Sequence, residues 1–351
     1  VSNRDINSSD KISKIFGKFS GLRRFRQNPG FFQLAASCLI LLAVSSAVVF
    51  YASRSFRDAK LVNKEHGQQL LEPQQQVLGA FSDLEPQQAA PVANPAPSLN
   101  PLVSPPQISA QSALVFALNG PILYSYNPTE KLPIASLTKL MTALVVMGDP
   151  RFPQPITITD ADHVITNPVL HLKTGDQVYP ANLVQAMLVG SANDAALALA
   201  NHFGTPDKTF IEMMNERAAA LGMTSTNYST PIGFDDPGNY SNVLDLQKLI
   251  NAALPILPFA QTDHADAYSF NSIGPNPTNY SIKATSFLPD SNSEIGVLKT
   301  GFTDNAKQAM VAQSSIQGQK IISIILESNN RDSDTAALIN YVGTAYLWSK
   351  N

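Results

Sequence analysis

A serine hydroxyl and a lysine amine stand three residues apart in Ser136-Leu137-Thr138-Lys139, a spacing that puts both on one face of a helix. A serine hydroxyl is a poor nucleophile at neutral pH until a neighbour takes its proton. A lysine amine can be that base if a desolvated site keeps part of it uncharged. The chemistry implied is acyl transfer by a serine nucleophile. The spacing alone is not specific, because Ser8-Ser9-Asp10-Lys11 repeats it in a polar tail.

Two more short motifs follow in order, Ser191-Ala192-Asn193 and Lys299-Thr300-Gly301. Each has decoys: Ser-x-Asn recurs at Ser98–Asn100 and Ser225–Asn227, and Lys-Thr-Gly at Lys173-Thr174-Gly175. Context separates them. Lys173–Gly175 runs into Asp176-Gln177, which is turn chemistry, whereas Lys299–Gly301 follows an apolar strand run and precedes Phe302-Thr303. The flanks are extensive: Pro133-Ile134-Ala135 before Ser136, Asp194-Ala195-Ala196 after Asn193, then Met214-Asn215, Leu221-Gly222-Met223, Asp236-Pro237-Gly238 and Tyr240-Ser241.

With these motifs in this order, residues 112–349 resemble the penicillin-recognising serine acyl-transferases. Within them the chain looks most like the serine-type D-Ala-D-Ala carboxypeptidases, the low-molecular-weight penicillin-binding proteins. The resemblance implies an α+β penicillin-binding-protein/β-lactamase-like transpeptidase fold, an antiparallel sheet with helices on both faces and a helical subdomain. It implies that Ser136 attacks the carbonyl between two D-alanines, Lys139 takes its proton, Ser191 relays a proton to the leaving amine, and Asn193 holds Lys139 and the substrate amide. Lys299 and Thr300 would bind the terminal carboxylate, as a cation and a hydroxyl can. Gly301 would let substrate backbone approach a strand edge, with Phe302 and Thr303 completing the substrate-binding strand. The N–H groups of Ser136 and Phe302 would form the oxyanion hole. Lys299 would help keep Lys139 neutral.

The implied substrate is a peptidoglycan stem peptide, with β-lactams as covalent inhibitors and no cofactor or metal. Two stretches depart from the family pattern: Ile232-Gly233-Phe234 stands where His-Gly-Leu is common, and Glu294–Leu298 replaces an Asp-Gly pairing. Both bear on substrate preference and rate. An endopeptidase using the same machinery, a β-lactamase-like hydrolase and a non-catalytic wall-binding scaffold are the competing readings. The β-lactamase reading needs a Glu-x-x-Leu-Asn segment, and only Glu212-Met213-Met214-Asn215 comes near.

The elements that must position these residues are legible from 112 onward. Ala113–Leu118 and Pro121–Tyr126 read as strands joined at Asn119-Gly120. Ser136–Met147 reads as a buried apolar helix. A short strand at Pro155–Thr159 and helices at Ala181–Val189 and Asn193–Phe203 follow. Thr205-Pro206-Asp207 reads as the start of a helix running to Leu221, and Asn242–Leu254 as another. Gly296–Thr300, Gln308–Ser314 and Lys320–Leu326 read as strands, the last two joined by a turn at Gln317-Gly318-Gln319. Asp332–Ser349 reads as a closing helix. Strands at both ends with helices between them point to one α+β unit whose sheet joins the chain ends.

Ahead of this unit, composition predicts three segments: a basic cytoplasmic tail at 1–30, a transmembrane anchor at 31–51 and a Pro/Gln-rich linker at 52–110. The tail carries net charge +5 within an overall −3. The anchor is 21 uncharged residues, enough to cross about 30 Å of hydrocarbon. The density of Lys/Arg before it predicts a cytoplasmic N-terminus and an extracytoplasmic catalytic domain. A cleaved signal peptide is the competing reading. The only cysteine, Cys38, lies in the apolar run, so the part beyond it has no disulfide. Residues 67–110 hold eight Pro and eight Gln and no Lys or Arg, a composition too poor in large apolar residues for a core. Residues 111–351 carry net charge −7, which argues against nucleic acid as a partner. The five histidines form no metal-binding pattern.

Overall fold

The computed structural model describes residues 97–164, 166–257, 267–285 and 295–348. The tail, the apolar run with Cys38 and most of the linker lie outside the described residues. Among the described residues no helix is long and apolar enough to cross a membrane.

In chain order the strands are β1 (Ser98–Leu99), β2 (Ser112–Ala117), β3 (Ile122–Tyr126), β4 (Leu132–Pro133), β5 (Ile156–Thr157), β6 (Gln177–Val178), β7 (Tyr240–Ser241), β8 (Ala267–Asn271), β9 (Asn279–Lys283), β10 (Ile295–Thr303), β11 (Lys307–Ile316), β12 (Gln319–Ser328) and β13 (Tyr346–Leu347). The α-helices are α1 (Thr138–Met147), α2 (Pro180–Val189), α3 (Asn193–Phe203), α4 (Phe210–Ala220), α5 (Val243–Ala253) and α6 (Arg331–Ala345). Strands β10-β11-β12-β2-β3 form one five-stranded sheet in that order, and every pairing is antiparallel. The first strands of the unit therefore close onto its last, as the placement of strands at both ends predicts. The hairpin turns use residues that tolerate a left-handed backbone: Asn119 at φ 54°, and Gln317 and Gly318 at φ 50° and 79°.

Alternation in the strands feeds two cores, because successive side chains leave opposite faces. Leu114, Phe116, Ile322, Ile324 and Val311 point into a large core with α1, α2, α3 and α5. Ala113, Val115, Ile321, Ile325 and Met310 point the other way, against Leu338 and Val342 of α6. Helix α1 is the hub of the larger core: Leu140, Met141, Ala143 and Val146 are fully buried, and each large apolar side chain so placed stabilises the fold by about 1.5–3 kcal/mol. Lys139, on this helix, is buried with them.

Several boundaries differ from the sequence reading. Thr205 to Asp207 do not open α4; Thr205 pairs across a turn with Lys208. Thr209 is the cap instead. Its hydroxyl accepts from Glu212 N, and the Glu212 carboxylate accepts from Thr209 N at 2.7 Å, a reciprocal box that satisfies two otherwise orphaned donors. The closing helix stops at Ala345, and β13 then pairs with β1, Leu99 opposite Tyr346. Ordered pairing thus begins ahead of the composition change at residue 111. The β8–β9 hairpin has no counterpart in the sequence reading. Its Ile282 covers Gly190, where an added Cβ would overlap the Ile282 side chain.

Candidate active site

Ser136 sits in a 3₁₀ turn, Ala135–Leu137, that leads directly into α1. Ala135 is left-handed at φ 46°, an uncommon backbone for a non-glycine residue that recurs at functional turns. The pairing of β4 with β7 holds the approach to this turn. Lys139, one turn on, is fully buried. Its Nζ lies 2.9 Å from Ser136 Oγ and donates to Ile232 O at 2.7 Å. Burial, and then the positive charge of Lys299, hold the Lys139 amine well below the ordinary lysine range. That favours the free base, whose lone pair can accept the Ser136 proton while an N–H stays on Ile232 O.

The segment from 231 to 239 is strapped to α1 by three side chains. Besides Lys139, Thr142 Oγ1 donates to Pro231 O at 2.7 Å and Asn239 Nδ2 to Thr138 Oγ1 at 2.9 Å. The Ile232-Gly233-Phe234 departure therefore falls on the segment whose carbonyl holds Lys139. Asp236 serves as a turn residue, accepting from Gly238 N. Asp235 reaches across to accept from Asn305 N at 3.2 Å.

Ser191 follows the end of α2, at φ 58°, and is buried with Asn193. Asn193 fastens the loop opposite: its N donates to Pro168 O and its Nδ2 to Thr166 O, both at 2.8 Å. Among the described residues no hydrogen bond joins Asn193 to Lys139, which is the bond the family resemblance implies; Ile232 O takes that part. Asp194, buried beside it, accepts from Leu170 N and Ala195 N at 2.9 Å and from Leu172 N at 3.2 Å.

The third motif lies on β10, the edge strand of the sheet. Gly301 runs against the serine turn, and a Cβ there would be 3.2 Å from Ser136 N and 3.0 Å from Ala135 Cβ. Thr300 Oγ1 donates towards Thr285. Lys299 is fully buried, donates to Thr300 O at 2.8 Å, and is brought down to about 7 by burial and by the Arg331 charge. Arg331, at the start of α6, donates from Nη1 to Gly301 O at 3.0 Å. It is a third cation converging on this strand and was invisible to motif reasoning: it lies thirty residues past Gly301, and nothing in its local sequence singles it out.

A cleft of about 330 Å³ opens over Ser136. Thr166, Asn167, Pro168 and Asn193 make one wall, and Phe302, Thr303 and Asp304 the other, with Gly233, Phe234 and Asp235 at the end. Phe302 is 63% exposed. Lys139 and Lys299 lie beneath this surface rather than on it. The decoy Lys173–Gly175 is elsewhere, in a turn where Lys173 N donates to Tyr280 Oη and Gly175 is left-handed. Glu212 is consumed by its helix cap and exposed, away from the cleft lining. Among the described residues no group of His, Cys, Asp and Glu could hold a metal ion.

Residues 100–330 match the model of peptidase family S11, D-alanyl-D-alanine carboxypeptidase. The chain is 33% identical over 238 residues to D-alanyl-D-alanine carboxypeptidase DacC of Escherichia coli, 64% of this chain and 58% of that one. It is 31% identical over 229 residues to a D-alanyl-D-alanine endopeptidase of Pseudomonas aeruginosa, 63% of this chain and 72% of that one. The match thus spans little more than half the length of the first of these relatives. The fold of this chain is similar to that of the Streptomyces K15 DD-transpeptidase, with TM-score 0.63 and 28% identity over 68% of this chain and 98% of that one. With the family model matched over residues 100–330, the chain belongs to the S11 family of D-alanyl-D-alanine carboxypeptidases.

Proposed function

We propose that the protein is a serine-type D-Ala-D-Ala carboxypeptidase that removes the terminal D-Ala of peptidoglycan stem peptides through an acyl-enzyme on Ser136. The observation that carries this reading is the contact of Ser136 Oγ with a fully buried Lys139 amine. Lys139, whose burial favours the free base, takes the Ser136 proton as Oγ attacks the penultimate carbonyl carbon. The N–H groups of Ser136 and Phe302 receive the developing oxyanion. Ser191 passes a proton to the departing D-Ala amine, and water then hydrolyses the ester. Lys299, Thr300 and the Arg331 charge behind them supply a cationic seat for the terminal carboxylate. Asn193 holds the opposite wall through Thr166 O and Pro168 O. β-Lactams would acylate the same serine. The apolar run at 31–51, with its basic leader, would anchor the enzyme with the catalytic unit outside the cytoplasm.

A second reading, an endopeptidase cutting peptide cross-links, is favoured by the relative named for that activity and uses the same residues. Intact-mass measurement of the protein after benzylpenicillin, beside Ser136→Ala, tests the mechanism: an adduct in the parent alone supports it, and no adduct sinks it. Release of free D-alanine from a pentapeptide, against cleavage of a cross-linked dimer, separates the two substrates.

A further inference from the structure

Thr285, just past the β8–β9 hairpin, bridges Val189 at the end of α2, which leads into Ser191, and Thr300 on β10. Its N donates to Val189 O at 3.0 Å and its Oγ1 to the same oxygen at 3.4 Å, two residues before Ser191. On its other side it receives Thr300 Oγ1, which lies 3.2 Å from Thr285 Oγ1 and 3.4 Å from Thr285 O. The hairpin is seated here by Ile282 over Gly190.

A hydroxyl has one proton to donate. In this arrangement the Thr285 proton faces Val189 O, so Thr285 Oγ1 offers only lone pairs to Thr300. The Thr300 proton is drawn towards Thr285, so Thr300 Oγ1 has only lone pairs left for any other group, the wrong polarity for a carboxylate. Both hydroxyls can turn together at little cost. Val189 O keeps the shorter bond from Thr285 N, so the Thr285 hydroxyl is free to donate to Thr300 Oγ1 instead. The Thr300 proton then swings to an incoming carboxylate, and only the long 3.4 Å contacts to Thr285 O and Val189 O are given up.

We infer that Thr285 is a positioning residue whose hydroxyl, by reversing its hydrogen bond to Thr300, turns Thr300 into a donor for the substrate's terminal carboxylate. It thereby sets the preference for peptides with a free C-terminus. The inference rests on Lys299 and Thr300 being the seat of that carboxylate.

The test compares kcat/KM for an acyl-D-Ala-D-Ala peptide with that for the same peptide amidated at its C-terminus. Thr285→Val keeps the shape and the backbone carbonyl but removes the hydroxyl. It should lower kcat/KM on the free acid about fivefold to tenfold, chiefly through KM, as expected for one neutral hydrogen bond, and leave the amide within twofold. Thr285→Ser should restore the preference. In a Thr300→Val background, Thr285→Val should have no further effect. Equal losses on both peptides, no loss on the acid, failure of Ser to rescue, or additive effects in the double variant would each overturn the inference. If the parent enzyme turns over both peptides equally well, the carboxylate seat itself is wrong and the inference goes with it. Thermal melting of each variant identifies one that does not fold, and Thr285→Ser, with the pair of Thr300 variants, then decides.

Discussion

The carbonyl oxygen of Ala135 occupies the space in which a side chain at Gly233 would have to begin. A Cβ on Gly233 would overlap that oxygen and lie 2.9 Å from Thr138 Oγ1, and Gly233 itself is left-handed at φ 91°. The segment whose Ile232 carbonyl holds Lys139 can approach the nucleophile turn only because residue 233 has no side chain. Gly233→Ala should therefore push the 231–239 segment off α1, cost about 1–3 kcal/mol of stability and lower acylation about a hundredfold. Denaturant unfolding and penicillin-acylation rates measure the two effects. Parent-like acylation in this variant would mean that the contact of Ile232 O with Lys139 is dispensable.

The two Lys-Thr-Gly stretches should behave differently. Lys299→Ala removes the buried cation beside Lys139, and kcat/KM on a carboxylate-terminated peptide should fall at least 10²-fold, as when a buried group that meets charge in the transition state is deleted. Lys173→Ala, on its turn by Tyr280, should leave kcat/KM within about twofold. Steady-state kinetics on both variants checks this, and a comparable loss at Lys173 would show that the wrong motif had been chosen.

The buried lysines set opposite limbs of the pH profile. Lys139 works as a base only when neutral, so kcat/KM should rise as pH climbs through its depressed pKa. Lys299 attracts a carboxylate only when protonated, so kcat/KM should fall as pH passes about 7. Lys299→Arg keeps its charge to high pH and should move the descending limb upward by at least a unit. A descending limb unchanged in that variant would assign it to another group.

Asp194 is predicted to matter through the loop it holds. Its buried carboxylate accepts N–H bonds from both Leu170 and Leu172, next to the cleft wall that Asn193 fastens at Thr166 and Pro168. An amide at this position offers one accepting oxygen where the carboxylate has two. Asp194→Asn should cost about 1–3 kcal/mol and raise KM more than it lowers kcat, and hydrogen exchange at Leu170 and Leu172 should quicken. Unchanged exchange at those amides would remove Asp194 from the support of the cleft.

Much of the fold could be read from local pattern. Asn119-Gly120 and Gln317-Gly318 mark hairpins because few residues accept positive φ, and the apolar runs at 112–126 and 295–326 are the strands of the sheet. The errors lie where two local solutions compete. Pro206 suggests a helix start, but the reciprocal bonds of Thr209 and Glu212 place it four residues later. The β8–β9 hairpin has no local signal because its strands are polar on one face, and its apolar residues Phe270, Tyr280 and Ile282 pack into the large core formed by segments distant in sequence.

By itself, the order of residues singled out the candidate nucleophile Ser136, its candidate base Lys139 and the two supporting motifs, since each is a local spacing with a chemical meaning. It also determined the α+β class, because the period of apolar residues changes from two to nearly four and back. Tertiary structure alone decided that Ile232 O rather than Asn193 accepts from Lys139, that Arg331 donates to Gly301 O and that Thr300 meets Thr285. These are contacts between residues 15 to 93 positions apart in the chain. No local pattern encodes them, because the energies that select them arise from burial and desolvation once the sheet and α1 have packed together.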